Sequence, residues 1–295
     1  MRVAVFGNIY KHGFFGSFNE LLQVLDKQHV DVLLCEDLYD AILEKKQVLP
    51  SKYTVIKKSD TNFDADLAFS VGGDGTFLKT AEAIADRNIP IMGINIGRLG
   101  FLADVSIECI TATVTEILEQ GYKIEERSVL KLVTDNHSLK TNNKALNEIA
   151  VLKLDSSSMI MIHATVNNEY LCSYQADGLL ISTPTGSTAY ALSVGASIMT
   201  PQNRSFIIAP IAPHSLNLRP LIIPDDWEIE LEIESRNNSF LISLDGRSEV
   251  LDSKTRLHIS KAGYTVKVAK RNNYTYFQTL RNKLMWGADK RNLNN

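Results

Sequence analysis

The chain has 295 residues, of which 44% are hydrophobic and 22% charged, with 16 Gly and 8 Pro. That is enough for about two ordinary domains and excludes a collagenous, low-complexity or largely disordered protein. Lys and Arg number 31 against 34 Asp and Glu, a formal net charge of -3, so no global basic field exists to recruit nucleic acid or an acidic membrane surface.

Met1-Arg2 leads directly into Val3-Ala4-Val5-Phe6, a run too short for the core of an export signal. Every apolar run is broken by charge or Pro well before the roughly 18 residues that span a bilayer. Cys35, Cys109 and Cys172 are odd in number and never form a CxxC pair, which speaks against a disulfide framework and a zinc cluster. The expectation is a cytoplasmic protein with no metal-ligating cluster.

Val3 to Phe6, Val30 to Cys35, Leu67 to Val71 and Ile91 to Ile96 read as buried strands. Between and after them, Phe18 to Lys27, Leu38 to Lys46, Phe77 to Asp86 and Ile107 to Gln120 place apolar residues at the three-and-four spacing of amphipathic helices. This alternation predicts an α/β domain over residues 1–125, with a parallel sheet covered on both faces.

The rhythm then changes. Val129 to Val133, Ala145 to Leu154, Met159 to Val166, Tyr170 to Tyr174, Leu179 to Ser182, Ile229 to Ile233, Phe240 to Leu244, Arg256 to Ile259 and Thr265 to Ala269 all read as strands. Asn167-Asn168, Asn237-Asn238 and Ala262-Gly263 supply turn residues. Residues 126–273 are therefore expected to form a β-rich, antiparallel domain, a sandwich or open barrel. Tyr274 to Trp286 is expected to be helical, with Phe277, Leu280 and Leu284 on one face.

Chemistry concentrates in two places. In the first, the strand Leu67 to Val71 runs into Gly72-Gly73-Asp74-Gly75-Thr76 and a helix opens at once. Such a loop lets backbone N–H groups approach a phosphate, and the helix N-terminus adds free donors. A carboxylate in the middle of a phosphate cradle repels its ligand unless it accepts a proton or holds a metal, so Asp74 points to phosphoryl transfer. The GxxxxGK[ST] loop and the protein-kinase motifs are absent from the sequence.

The second concentration is Asp177 to Ser193, where a strand feeds Thr183-Pro184-Thr185-Gly186-Ser187-Thr188-Ala189-Tyr190 and a short helix over Ala189 to Gly195. The hydroxyls suit a sugar or phosphate, and Tyr190 could stack on a flat ring. Ser187 lacks the GxSxG elbow of a hydrolase nucleophile. Asn147-Glu148 interrupts an apolar run, while Ile211 to Ser215 and Leu244-Asp245-Gly246 read as loops.

Together these motifs resemble the ATP-dependent NAD kinase family. The likeness extends to Gly97-Arg98-Leu99-Gly100-Phe101-Leu102, Pro210 to Ser215, Arg219-Pro220-Leu221 and Asp245-Gly246, most of the chain. Phosphofructokinases and lipid kinases share a related Gly-Gly-Asp-Gly loop, whereas the Thr-Pro-Thr-Gly-Ser-Thr-Ala-Tyr string is more discriminating.

The resemblance implies a Rossmann-like first domain, a β-rich second domain, NAD between them, and a last helix that returns to the first domain. It implies transfer of the γ-phosphoryl group of ATP to the 2'-hydroxyl of the adenosine ribose of NAD, with a divalent cation, normally magnesium, in a homodimer or homotetramer.

By position it also implies that Asp74 is the proton acceptor and that Gly72, Gly73, Gly75 and Thr76 form the phosphate loop. Lys79 is a further phosphate candidate. Asn147 and Glu148 would contact ribose; Thr188, Ala189, Tyr190, Ala191, Leu192 and Ser193 would bind the dinucleotide; Asp177 and Ala212 would lie toward the nicotinamide. Gln175 and Arg98 depart from the commoner residues. The alternatives are a lipid kinase, disfavoured because no membrane-binding amphipathic helix is evident, and a non-catalytic nucleotide sensor.

Overall fold

The computed structural model describes residues 1–57, 60, 63–97, 100–155 and 158–287. The chain divides into two compact units, Met1–Glu125 with the chain from Lys267 onward, and Glu126–Val266.

The chain begins with β1 (Arg2–Gly7), α1 (Phe14–Lys27), β2 (Asp31–Cys35), α2 (Glu36–Glu44) and β3 (Tyr53–Ile56). It continues through β4 (Leu67–Gly72), α3 (Asp74–Ile84), β5 (Ile91–Asn95), β6 (Ala103–Ser106), α4 (Ile110–Gln120) and β7 (Lys123–Arg127). Then come β8 (Leu130–Thr134), β9 (Lys144–Ala145), β10 (Glu148–Lys153), β11 (Ile160–Val166), β12 (Glu169–Ala176), β13 (Gly178–Ser182) and α5 (Tyr190–Ser193). The remainder is β14 (Ser205–Ile211), β15 (Leu221–Pro224), β16 (Ile229–Glu234), β17 (Ser239–Leu244), β18 (Arg247–Asp252), β19 (Leu257–Lys261), β20 (Val266–Lys270) and α6 (Tyr276–Leu284).

Among the described residues the first unit is built on an eight-stranded sheet in the order β3-β2-β1-β4-β5-β20-β7, with β6 beside β5. Strands β1 to β6 pair in parallel, as does β20 with β5. Phe14, Phe18, Leu21 and Leu25 of α1, Leu38 and Ile42 of α2, and Ile110, Val114 and Ile117 of α4 share one core with Val3, Val5, Phe69 and Val71. Helix α3 buries Phe77, Ala81 and Ile84 outside that cluster. All six residues of β4 are buried, as a strand covered on both faces requires.

The second unit is an antiparallel sandwich. One sheet runs β15-β14-β13-β10-β17-β18 and the other β12-β11-β16-β19-β8-β9. Inward residues alternate with outward ones, as in Ile160, Ile162, Ala164 and Val166 of β11 and Ile229, Leu231 and Ile233 of β16, and they meet in a single core. Strand β13 is buried on both faces. Its Leu180 packs outward with Ala150, Ala191, Met199 and Ile207, so the segment around α5 covers that face.

The sequence expectation named no strand at β3, β6, β7, β14, β15 or β18, and three of the elements it did name differ. The strand expected over Thr265 to Ala269 pairs with β5 of the first unit, so the second unit ends at Val266 rather than at residue 273; a strand's alternation does not say which sheet it joins. The apolar run Ala145 to Leu154 is two strands on opposite sheets, β9 beside β8 and β10 beside β13. Helix α6, capped by Thr275 through Gln278 N, buries Thr279 and Leu280, while Phe277 is 59% exposed, so the buried face is not the one the apolar spacing marked.

Candidate active site

The β4–α3 junction sits where sheet order reverses. Strands β1, β2 and β3 run one way and β4 lies on the other side of β1, so the loops after β1 and β4 open at the same place, where ligands of such sheets bind. Gly73 carries the chain from strand to helix, and its carbonyl accepts from Thr76 N at 2.9 Å and Phe77 N at 3.0 Å. Gly72 must lack a Cβ because one would collide with the Thr76 side chain. At Gly75 an added Cβ would meet nothing within 4 Å and the residue is exposed, leaving that side of the helix N-terminus open to a ligand.

Asp74 does not point freely into solvent. Its Oδ2 accepts from Phe101 N at 3.0 Å, and its Oδ1 from Leu102 N at 3.1 Å and Ala103 N at 3.0 Å. Gly100 turns the chain into this arrangement, with its own N–H on Ala103 O at 3.0 Å. A carboxylate offers about four lone-pair directions, so three are engaged and one on Oδ2 stays available. Lys79 lies on the exposed side of α3. Arg98 and Leu99 fall outside the described residues.

The second unit repeats the device. Asp245, at φ 48° before Gly246 at φ 82°, accepts from Leu146 N at 2.7 Å on Oδ2 and from Asn147 N at 2.8 Å and Glu148 N at 3.1 Å on Oδ1. These three N–H groups lie at the break between β9 and β10, and the carboxylate replaces the ladder bonds they would otherwise make. From the other side, Thr183 N and Ser182 Oγ donate to Asn147 O at 2.9 and 3.3 Å, and Thr183 Oγ1 donates to Leu146 O at 2.6 Å. Gly186 passes so close that a Cβ would clash with Asn147 O. Asn147 and Glu148 are thus clamped between the 244–246 turn and the 182–186 turn.

Their side chains are left with unsatisfied atoms. Asn147 Oδ1, Glu148 Oε2 and Thr185 Oγ1 are buried without a hydrogen-bond partner among the described residues, an arrangement that costs free energy unless a ligand supplies the donors. Burial pushes the Glu148 carboxyl up to about 7, the charge of Asp245 adds to that, and a hydrogen bond from Tyr190 N–H opposes it. Burial also raises Asp245, against the pull of its three N–H donors and Arg247.

The remaining sequence candidates fall in distinct surroundings. Thr188, Ala189, Tyr190, Leu192 and Ser193 are at least partly accessible, whereas Ala191 is wholly buried in the cover of β13. Ser187 is also buried, donating to Pro184 O at 2.7 Å and accepting from Met199 N at 3.0 Å, a structural role. Asp177 pairs with Lys153 at 2.7 Å, and its N–H reaches Ile211 O at 3.0 Å, which brings it beside Ala212, held at φ 45°. Gln175 is exposed and its carbonyl accepts from His214 N at 2.9 Å.

Sequence reasoning missed two residues. Asp245 read as a loop within the family likeness, with no sign of its hold on Leu146, Asn147 and Glu148, though its Asp-Gly pair signals a turn that tolerates positive φ. Lys11 gave no signal at all, yet its Nζ donates to Gly72 O at 3.3 Å. Among the described residues no group of three or more His, Cys, Asp or Glu side chains gathers to hold a metal.

Comparison with known proteins places both units. Residues 4–122 match the family described as the ATP-NAD kinase N-terminal domain, and residues 146–271 match the ATP-NAD kinase C-terminal domain. The chain is 49% identical over 296 residues to the NAD kinase of Bacteroides fragilis, covering 99% of this chain and 100% of that one. It is 44% identical over 292 residues to the NAD kinase of Cytophaga hutchinsonii, with the same coverage. Among solved structures, an NAD kinase from Archaeoglobus fulgidus in complex with ATP superposes with a TM-score of 0.74 at 26% identity, covering 97% of this chain and 99% of that one. Yeast NADH kinase complexed with NADH has the same fold, with a TM-score of 0.88 at 23% identity over 98% of this chain and 89% of that one.

Proposed function

The chain belongs to the ATP-NAD kinase family, and from that premise we infer how its residues divide the work. The reaction is ATP-dependent: the γ-phosphoryl group passes to the 2'-hydroxyl of the adenosine ribose of NAD, giving NADP and ADP. Full-length likeness to NAD kinases sets aside the lipid-kinase and sensor readings.

The observation that carries the residue-level reading is the fixed carboxylate of Asp74 at the opening of α3. A loose phosphoryl-transfer transition state asks little of a base before bond formation, so positioning outweighs basicity. The ribose oxygen bonds to the γ-phosphorus, the bond to the β,γ-bridging oxygen breaks with its electron pair leaving on ADP, and the hydroxyl proton goes to the open lone pair of Asp74 Oδ2. The backbone N–H of Gly75 at the start of α3 serves the phosphates, with Gly72, Gly73 and Thr76 shaping the loop through the bonds from Gly73 N to Thr76 Oγ1 and from Thr76 N to Gly73 O, and Lys79 farther along the helix.

In the second unit, Asn147 Oδ1 and Glu148 Oε2 have the acceptor capacity to take the ribose hydroxyls as donors. Thr188, Ala189, Tyr190, Leu192 and Ser193 are assigned to the dinucleotide, with Ala191 securing their segment, and Asp177 and Ala212 to its nicotinamide end. A divalent ion, magnesium by expectation, would accompany the ATP phosphates and neutralise part of their charge. We place the enzyme in the cytoplasm as a homodimer or homotetramer; no helix among the described residues is long and apolar enough to cross a membrane.

The test is direct. Purified protein with magnesium-ATP and NAD is expected to yield NADP, and Asp74→Asn is expected to abolish most of that yield while retaining the wild-type circular dichroism spectrum. Equal turnover by Asp74→Asn would refute the assignment of Asp74.

A further inference from the structure

Lys11 approaches the phosphate loop from the other strand of the reversal point. Strand β1 runs beside β4 with Gly7 opposite Val71, and the residues after it form a chain of turns. Asn8 N donates to Val71 O, Lys11 N to Asn8 O and Phe14 N to Lys11 O, each at 3.1 Å. Gly7 permits the fold-back, since a Cβ there would enter the Phe14 ring. The path returns Lys11 over the end of β4, where Nζ reaches Gly72 O at 3.3 Å. A Cβ built on Gly73 would lie 3.4 Å from this nitrogen and one on Gly97 3.7 Å from it. The ammonium therefore rests against the backbone of the loop whose N–H groups face phosphate.

Charge makes this placement informative. Gly72 to Thr76 contains one ionisable side chain, Asp74, and it is an acid. A polyphosphate arriving at that loop meets a carboxylate of its own sign. An ammonium has three donors, and the bond to Gly72 O occupies one, so two remain for phosphate oxygens. Lysine on a flexible stem acts there as a point charge, as it does in other phosphate loops.

We propose that Lys11 binds the terminal phosphates of ATP and supplies the fixed positive charge that the Gly72–Thr76 loop lacks. This rests on the kinase reading above, with the phosphate donor at the β4–α3 loop. Asp74 and Lys11 then make a matched pair, one serving the acceptor hydroxyl and the other the donor.

The test compares wild type, Lys11→Met and Lys11→Arg. Met keeps the apolar stem without the charge, and Arg keeps the charge. Magnesium-ATP affinity is measured by titration calorimetry, with NADP formation followed in parallel. Wild-type turnover reports on the kinase reading itself, and the ATP titration reports on Lys11 independently of turnover. Loss of one charge-assisted phosphate contact predicts ATP affinity about tenfold to a hundredfold weaker in Lys11→Met, with KM for NAD within about twofold of wild type and partial recovery in Lys11→Arg. Unchanged ATP affinity in Lys11→Met would overturn the proposal. So would an equal rise in KM for both substrates, or a loss not relieved at all by Arg, because a purely structural bond to Gly72 O predicts those results.

Discussion

Gly100 has no side chain because Asp74 occupies the place where one would be: a Cβ on Gly100 would fall inside the Asp74 carboxylate. Gly100→Ala must therefore push the carboxylate away from Phe101, Leu102 and Ala103 N–H or move the loop. Displacement of a catalytic group by about 1 Å costs on the order of 10²-fold in rate. The expected outcome is a loss of kcat on that scale, with a melting temperature only a few degrees lower, as measured by NADP formation and by thermal denaturation.

Asp74→Asn tests the same carboxylate by its chemistry. A general base contributes about 10² to 10⁴ in rate, and the amide cannot replace it. Asn also turns an NH2 group toward at least one of the three backbone donors, which costs about 1–3 kcal/mol for each unmet partner. Activity should fall by at least the base's share, and chemical denaturation should register a smaller but measurable stability loss.

Glu148 gives the protein a pH-dependent stability. An ordinary glutamate titrates near 4.5, and burial, then Asp245, moves this one to about 7. Between those values the folded chain keeps a proton that the unfolded chain has released, so stability falls as pH rises through the window and levels above about 7. The full size is on the order of 3 kcal/mol. Glu148→Gln should lack this slope in melts recorded from pH 5 to 8. Under the proposed role of Glu148, ribose hydroxyls donate to the ionised carboxylate, and KM for NAD in the wild type should drop as pH rises through about 7. Asp245→Asn should shift that drop to lower pH.

Lys270 and Asp104 form a buried pair at 2.9 Å, with side chains 2% and 10% exposed, and the ammonium lies 4.4 Å from the Tyr274 ring centre. Removing one partner strands a charge away from water, at about 3–5 kcal/mol. Asp104→Ala is expected to lose that much in urea unfolding. Asp104→Leu with Lys270→Met should recover most of it, since no unpaired charge remains.

Much of the fold was legible because burial writes a period into the sequence. Leu67 to Val71 read as a buried strand and is one; the loop and helix after it followed from Gly72, Gly73 and Gly75. The helix begins at Asp74 rather than at Phe77 because its first turn faces the loop, where no apolar residue announces it. Strand β3 escaped notice since two of its four residues, Tyr53 and Thr54, are exposed. Relations between distant residues were invisible for a different reason. Lys11 meets Gly72 across 61 positions, and Asp245 meets Leu146, Asn147 and Glu148 across 97 to 99; local pattern holds no information about such pairings. The break at Leu146-Asn147 was readable only as an interruption, since its cause lies on another turn.

Strand β20 lies between β5 and β7 in the first sheet, although more than a hundred residues of the second unit are made before it. On the ribosome, β6 covers Gly93–Asn95 of β5 early, but the place beside Ile91, and with it the link to β7, stays open until Val266–Lys270 emerges. The sandwich, contiguous from Glu126 to Val266, is free to fold while the older sheet still waits for its closing strand. The half that holds Asp74, begun first, is thus completed last.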